Sequence, residues 1–264
     1  MRIGVNWISP ASLTIIQQLV REERINFCEI MVDNFVHLSA EKIKAALPGL
    51  PIGLHIVTSR FLEKPINELQ SLARHLRRWI HDLQPVYVSE HLVQFTNERG
   101  QWLPLITELD YNRLHAHVTQ RVQTWQSMLD VQLLFENHAS LTVAGTNQAA
   151  FFQDLIHETQ CGLLFDFSNA YIAERNKVCA FSAWDALIKQ TNYFHVGGFR
   201  IDHASQLLLD THDQPIADDI LPIMQHYLLN KKDSMLVLER DASVTLADWQ
   251  HDMTRVQQAS LCSI

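Results

Sequence analysis

The chain has 264 residues, 47% of them hydrophobic, and a formal net charge of -8. That length buries a large core in one domain, residues 1–264, and the acidic balance disfavours a protein that works by gripping phosphate backbones. No apolar run approaches the ~20 residues of a membrane span, and Cys28, Cys161, Cys179 and Cys262 show no CxxC spacing, so neither a disulfide framework nor a cysteine zinc site is expected.

Strand-like and helix-like segments alternate along the chain. Ile3 to Trp7 reads as a first strand rather than a signal peptide, and a helix follows from Pro10 and Ser12 to about Glu23, with Leu13, Ile16, Leu19 and Val20 at helical spacing. Phe27 to Val32 is the second strand, Ser39 caps a short helix through Leu47, and Ile52 to Val57 is the third strand. An amphipathic helix then runs from about Pro65 to Leu83, carrying Arg74, Arg77 and Arg78 on a basic face that is either solvated or a partner surface. The fourth strand is Val86 to His91. Phe95 to Leu105 reads as a polar loop turning at Asn97 to Gly100, with Thr107 as cap of a helix from about Asp110 to Leu129.

Val131 to Glu136 is the fifth strand, Asn147 to Thr159 is helical, and Gly162 to Asp166 is the sixth strand. A helix and loop occupy Ser168 to Gln190. Tyr193 to Val196 is the seventh strand, followed by Gly197-Gly198 and a long loop from Arg200 to Gln214. Pro215 opens a helix to about Leu229, Met235 to Glu239 is the eighth strand, and Thr245 begins the last helix. About eight βα units in order, with no linker or low-complexity run, predict a single (β/α)8 barrel, a TIM barrel, rather than a doubly wound open sheet. GxGxxG, P-loop and nucleophile-elbow motifs are missing from the sequence.

The strands end in residues that bind metals or move protons. In Leu133-Leu134-Phe135-Glu136-Asn137-His138 an apolar run meets an acid, an amide and an imidazole. His55, His91, Glu136, Asp166, His195 and Glu239 all stand at such ends, where a barrel places its active site. Asp210 and His212 lie in the long loop after the seventh strand. The donors are nitrogen and oxygen, without thiolate, which suits iron, manganese or zinc. Glu136, Asp166, Asp210 and Glu239 would bring four negative charges into one cavity, which two divalent ions balance and three exceed. The rival reading is structural: a strand-end acid often caps the next helix, and Asp166 before Ser168-Asn169 is the clearest case. Glu29 and Asp33, at the end of the second strand, are within reach of the same cavity.

Seven motifs carry a family resemblance: Gly4-Val5-Asn6, Ser89-Glu90-His91, Glu136-Asn137, Asp166 with Ser168-Asn169, His195-Val196-Gly197-Gly198, Asp210-Thr211-His212-Asp213 and Glu239-Arg240-Asp241. In this order the chain resembles the multinuclear non-haem iron-dependent oxidative enzymes. Asp33-Asn34-Phe35-Val36-His37-Leu38, Leu76-Arg77-Arg78, Gln84-Pro85-Val86-Tyr87-Val88-Ser89 and Tyr193-Phe194-His195-Val196 make it similar to their methanobactin-biosynthesis branch, the MbnB type. The resemblance implies a barrel holding two or three iron ions, at least one of them Fe(II), on His55, His91, Glu136, Asn137, Asp166, His195, Asp210, His212 and Glu239, with Asp241 in proton transfer. It implies O2 as co-substrate, an MbnC-like companion protein in a heterodimer, and an MbnA-like ribosomal precursor peptide as substrate. Cysteines of that peptide become oxazolone and thioamide groups. A cytoplasmic location, with neither nucleic acid nor membrane as partner, accompanies this reading. The alternatives are a divalent-metal isomerase or hydrolase of the sugar isomerase and endonuclease type, and a non-catalytic metal- or peptide-binding module.

Overall fold

In the computed structural model, residues 1–97, 99–141, 147–242 and 244–261 are described, without the side chains of residues 104, 105, 260 and 261. Cys262 and the Glu98 of the expected turn lie outside them. Eight parallel strands close into a barrel. We label them β1 (Arg2–Trp7), β2 (Phe27–Met31), β3 (Ile52–Ile56), β4 (Tyr87–His91), β5 (Leu134–Glu136), β6 (Gly162–Asp166), β7 (Tyr193–Gly197) and β8 (Met235–Glu239). Each pairs with its neighbours in chain order, and β8 closes against β1 through Arg2↔Met235 to Val5↔Leu238. Helices between the strands cover the outside, including Leu13–Arg21, Ile66–Leu83, Tyr111–Leu129, Gln148–Thr159, Phe167–Arg175, Ile220–Leu228 and Leu246–Leu261.

The strands are buried on both faces, which is why they read as continuous apolar runs. Their outward residues join the helices in one large core that contains Val5, Cys28, Ile30, Leu54, Val88, Phe135, Leu163, Phe165, Phe194 and Leu238. Their inward residues divide by depth. Phe27, Tyr87, Leu134, Leu164, Met235 and Val237 form a separate apolar cluster inside the barrel. Two residues further along the same strands stand Glu29, Ser89, Glu136, Asp166 and Glu239, all buried. Side chains two apart on a strand share a face, so a polar layer sits directly above an apolar plug.

Five expectations are corrected. The polar loop after β4 is an antiparallel hairpin, Val93–Thr96 with Trp102–Glu108. Phe95 is buried and packs edge-on against Trp102, and Glu63 Oε1 accepts from the backbone of Phe95 and Thr96 and from the Thr96 hydroxyl at 2.7–2.9 Å. The loop after β7 likewise contains a hairpin, Phe199–Ile201 with Leu208–Asp210. Thr107 belongs to the first hairpin, and the following helix is capped by Asp110, whose carboxylate accepts from Arg113 N at 3.1 Å. The helix expected from Pro215 begins at Ile220. Strand two also stops at Met31, where Val32–Phe35 makes one helical turn. Arg74, Arg77 and Arg78 are exposed, as on a solvated face. Cys28 and Cys161 are free and buried, as expected of packing residues.

Gly53 shows how tightly the interior is fitted. A Cβ there would lie 2.5 Å from Tyr87 Cζ and 2.7 Å from its hydroxyl. Gly53→Ala is therefore expected to destabilise the fold by roughly 1–3 kcal/mol through overpacking, measured as a lower Tm in thermal unfolding.

Candidate metal centre

The polar layer opens into a cleft of about 360 Å³ at the carboxyl ends of the strands, whose lining includes His55, His91, Glu136, Asp210, His212 and Glu239. Two groups of side chains bring potential ligand atoms within 4.8 Å of one another: His55, His91 and Glu136, and Glu136, Asp166, His195 and Glu239. Glu136 belongs to both. Its Oε2 lies 3.5 Å from His55 Nε2 and 3.4 Å from His91 Nε2, and its Oε1 lies 3.4 Å from His195 Nδ1. One carboxylate thus faces two sets of imidazole nitrogens with different oxygens, so that it would be shared if both groups held an ion.

Buried atoms without hydrogen-bond partners test whether metal ions fit. Asp166 Oδ2, His195 Nδ1 and Glu239 Oε2 are all of this kind. Each such atom costs roughly 1–3 kcal/mol when left unpaired. The three residues belong to one group that could hold a metal ion, and a cation bound there would give such atoms a partner. The capping reading of Asp166 holds: its Oδ1 accepts from Asn169 N at 2.7 Å, capping Phe167–Arg175, while its buried Oδ2 has no hydrogen-bond partner.

The hairpin after β7 delivers Asp210 and His212. His212 Nε2 lies 2.7 Å from Asp210 Oδ1, and Nδ1 lies 3.6 Å from Glu239 Oε2 and 3.2 Å from Asp241 Oδ2. His212 has a positive φ of 47° and is held by hydrogen bonds from its N to Gly198 O (2.9 Å) and from Asp241 N to its O (3.0 Å). Its ring rests on Gly197, where a Cβ would come within 2.4 Å of His212 Cδ2. Asp241 lines the cleft and its other oxygen accepts from Asn6 Nδ2 at 2.9 Å. Arg240 turns away and pairs with Asp252 at 2.6 and 2.9 Å.

Asn137 departs from the expected ligand set. Its Nδ2 donates to Asp166 O at 2.9 Å and its Oδ1 accepts from Asp166 N at 2.7 Å. Both ends of the amide are spent on the backbone of β6, so Asn137 fixes where Asp166 sits rather than presenting a ligand. The reason is strand parity: Glu136 points inward, and its successor points to the other side. Asn169, read in the sequence only as part of a motif beside a cap, reaches the site instead. It lines the cleft, and its Nδ2 donates to Asn137 O at 2.9 Å and stands 3.4 Å from Glu136 Oε1. Its spacing of three from Asp166 was the available signal. Glu29 is fully buried behind His195, and Asp33 clamps the loop after β3 by accepting from Val57 N and Thr58 N.

Charge crowding perturbs these groups. Burial first, and then Glu239 and Asp166, push Glu136 up to about 8 against the pull of His195. Burial and Glu239 push Asp166 up to about 7. Burial would raise Glu239 too, but His195 and His212 overcome it and hold that carboxyl below its usual range. Burial works against charge on His195 and His212, yet the surrounding carboxylates, Glu239 and Glu29 on His195 and Asp210 and Glu239 on His212, hold both well above the ordinary imidazole value. Burial lowers His55 and, further, His91.

The fold and this centre define a TIM-barrel protein whose buried His, Asp and Glu cluster at the strand ends can hold metal ions. The model of a family described as the RiPP precursor modification enzymes MbnB/TglH/ChrH, where RiPP denotes a ribosomally made and later modified peptide, matches residues 2–260. The chain belongs to this family. Among its relatives, a UPF0276 protein of Psychromonas ingrahamii is 26% identical over 99% of this chain and 95% of its own length. Another from Rhizobium meliloti is 29% identical over 74% of this chain and 66% of its own. The fold is similar to that of E. coli 3-keto-D-glucoside 4-epimerase (TM-score 0.63, 16% identity, 99% of this chain and 100% of that one). It is equally similar to that of Thermus thermophilus endonuclease IV (TM-score 0.62, 18% identity, 98% of this chain and 100% of that one).

Two expectations follow. Gly197→Ala should displace His212 from the cleft and lower divalent-metal occupancy, read by elemental analysis, while circular dichroism stays native. The second concerns pH in metal-stripped protein. Raised histidines contribute stability that is complete below the ordinary 6.5 and is lost as pH climbs through their folded values. Raised carboxyls penalise the fold increasingly as pH rises from their ordinary 4.5 and 3.8 towards about 8 and about 7. The contribution of Glu239, whose carboxyl is lowered, is already complete above its ordinary 4.5. Stripped protein should therefore lose Tm between pH 6.5 and 8, and its gap from metal-loaded protein should widen over the same range. Calorimetry at several pH values checks the sign.

Proposed function

We propose that this protein is an iron- and O2-dependent enzyme that oxidises cysteine residues of a ribosomally made precursor peptide, in partnership with a companion protein. The product class is that of methanobactin, oxazolone and thioamide groups built from cysteine and its neighbouring amide. The observation that carries this reading is the bridging position of Glu136 between two ligand groups at the mouth of the barrel, in a chain of a peptide-modifying family. The nitrogen and oxygen donor set fits iron. Bound there, iron would supply one-electron redox chemistry, with O2 as the electron acceptor.

His55, His91 and one oxygen of Glu136 would hold one ion; the other oxygen, with Asp166, His195 and Glu239, would hold a second. Asp210 and His212, mounted on the hairpin after β7, would complete the centre or hold a third. Asp241 stands at the rim, half exposed and 3.2 Å from His212 Nδ1, where it can take a proton from an incoming thiol and pass it to solvent. Met31, Val57 and Ile106 supply apolar wall beside these groups.

The lining of the cleft holds neither Lys nor Arg among the described residues. A site built for a phosphate backbone would carry such cations, so this lining favours a peptide thiol over a nucleic acid. The epimerase and endonuclease neighbours share the fold, and fold alone does not transfer their activities.

Co-expression with the companion and a cysteine-containing precursor, followed by mass spectrometry, tests the proposal. Modified peptide is expected only with iron and oxygen. Glu136→Gln and Asp210→Ala are expected to reduce product at least about 100-fold, as removal of a metal-holding group does. Full turnover under anaerobic conditions, or with zinc or magnesium alone, would move the assignment to the isomerase or hydrolase class.

A further inference from the structure

The middle of the barrel contains a carboxylate that packing does not require. Glu29 is fully buried on β2, in register with Asn6 of β1 and Gly53 of β3. It stands two residues above Phe27 of the apolar plug. Barrel interiors are normally filled at such levels by branched apolar side chains, and removing a carboxylate from water costs several kcal/mol unless partners compensate.

Both of its partners point one way. Glu29 Oε2 accepts from Tyr87 OH at 2.8 Å and lies 2.9 Å from His195 Nε2. Tyr87 reaches that oxygen only because residue 53 lacks a side chain. In the neutral ring that a metal requires, a carboxylate acceptor on Nε2 places the proton there and leaves Nδ1 as a lone pair. His195 Nδ1 is buried without a hydrogen-bond partner, 3.4 Å from Glu136 Oε1 and 3.3 Å from Glu239 Oε2. His55 is set in the opposite sense: Ser89 Oγ engages its Nδ1 at 2.8 Å, and its Nε2 faces His91 Nε2 at 2.9 Å and Glu136 Oε2 at 3.5 Å.

We propose that Glu29, braced by Tyr87, is a positioning residue that locks His195 in its Nε2–H form, so that His195 binds metal through Nδ1. This rests on the metal-centre reading given above. Glu29 itself touches no ion in this arrangement; it acts through the ring of His195. The two ligand groups that share Glu136 are thereby set by different supports, Ser89 behind His55 and Glu29 behind His195.

The test uses the full chain loaded with Zn(II), which is diamagnetic, together with Glu29→Leu, Glu29→Gln and Tyr87→Phe. Nitrogen-15 NMR of labelled histidine reads which ring nitrogen of His195 carries the proton, and calorimetric titration reads the affinity for each ion. Wild type should show a protected Nε2–H on His195 and metal on Nδ1. Glu29→Leu should lose that signal and weaken one ion about 10–100-fold, the usual cost of removing such a support, with the His55 group unchanged. Glu29→Gln keeps an acceptor oxygen and should recover much of the affinity. If Glu29→Leu fails to fold, Tyr87→Phe still reports, as faster exchange of the Nε2 proton. Unchanged affinity and an unchanged His195 signal in Glu29→Leu, or metal on Nε2 in wild type, would overturn the role of Glu29 alone. Absence of Zn(II) binding by wild type would overturn the metal centre and, with it, this proposal.

Discussion

Crowding of buried carboxylates and imidazoles at the mouth of a closed barrel is the constraint on which the site depends. Closure forces alternate residues of every strand inward. The lower set, from Phe27 to Val237, makes a dry plug. The next set up has nowhere to go except a space where Glu136, Asp166 and Glu239 meet His55 and His195. In that low-dielectric space like charges repel strongly and unpaired atoms are costly. Protons relieve part of the strain, as the raised carboxyls of Glu136 and Asp166 show. A bound cation would relieve more of it, and Asp166, His195 and Glu239, each with an orphaned buried atom, belong to one group that could hold an ion.

The parts of the site differ in how rigidly they are held. Residues on β3, β5, β6, β7 and β8 ride on paired strands, and Asn137 and Asn169 tie the ends of β5 and β6 together. Asp210 and His212 instead arrive on a short hairpin seated against the glycines that follow His195. The backbone at His212 is in the left-handed region, and its hydrogen bonds to Gly198 and Asp241 hold it there. Such backbone strain persists only where surrounding structure enforces it. Its position at the cleft accords with a functional demand on the orientation of this one imidazole.

An epimerase and an endonuclease share this barrel at low identity, so architecture leaves the chemistry open. The family match narrows it to modification of ribosomal peptides. The lining adds carboxylates, imidazoles and an apolar wall, with neither Lys nor Arg among the described residues.

The sequence by itself determined the barrel and most of the residues gathered in its mouth. Parallel strands covered on both faces must be apolar, so the strands stood out as apolar runs, and β5, β6 and β8 end at their first charged residue. It did not determine which neighbouring residues turn inward at those ends. Glu136 and Asn137 look equivalent as letters, but strand parity gives one to the cleft and the other to the backbone of β6. Glu29 is legible as a buried acid, yet its partnership with His195 joins residues 166 positions apart, a distance that only barrel closure spans. The hairpins were hidden because their alternation is short and interrupted by polar turns, and they became stable only through tertiary contacts such as Glu63 with Phe95 and Thr96. Local pattern records what a strand must bury. The orientation of hydrogen bonds at its end depends on partners brought in from elsewhere in the chain, and the tertiary structure decided those.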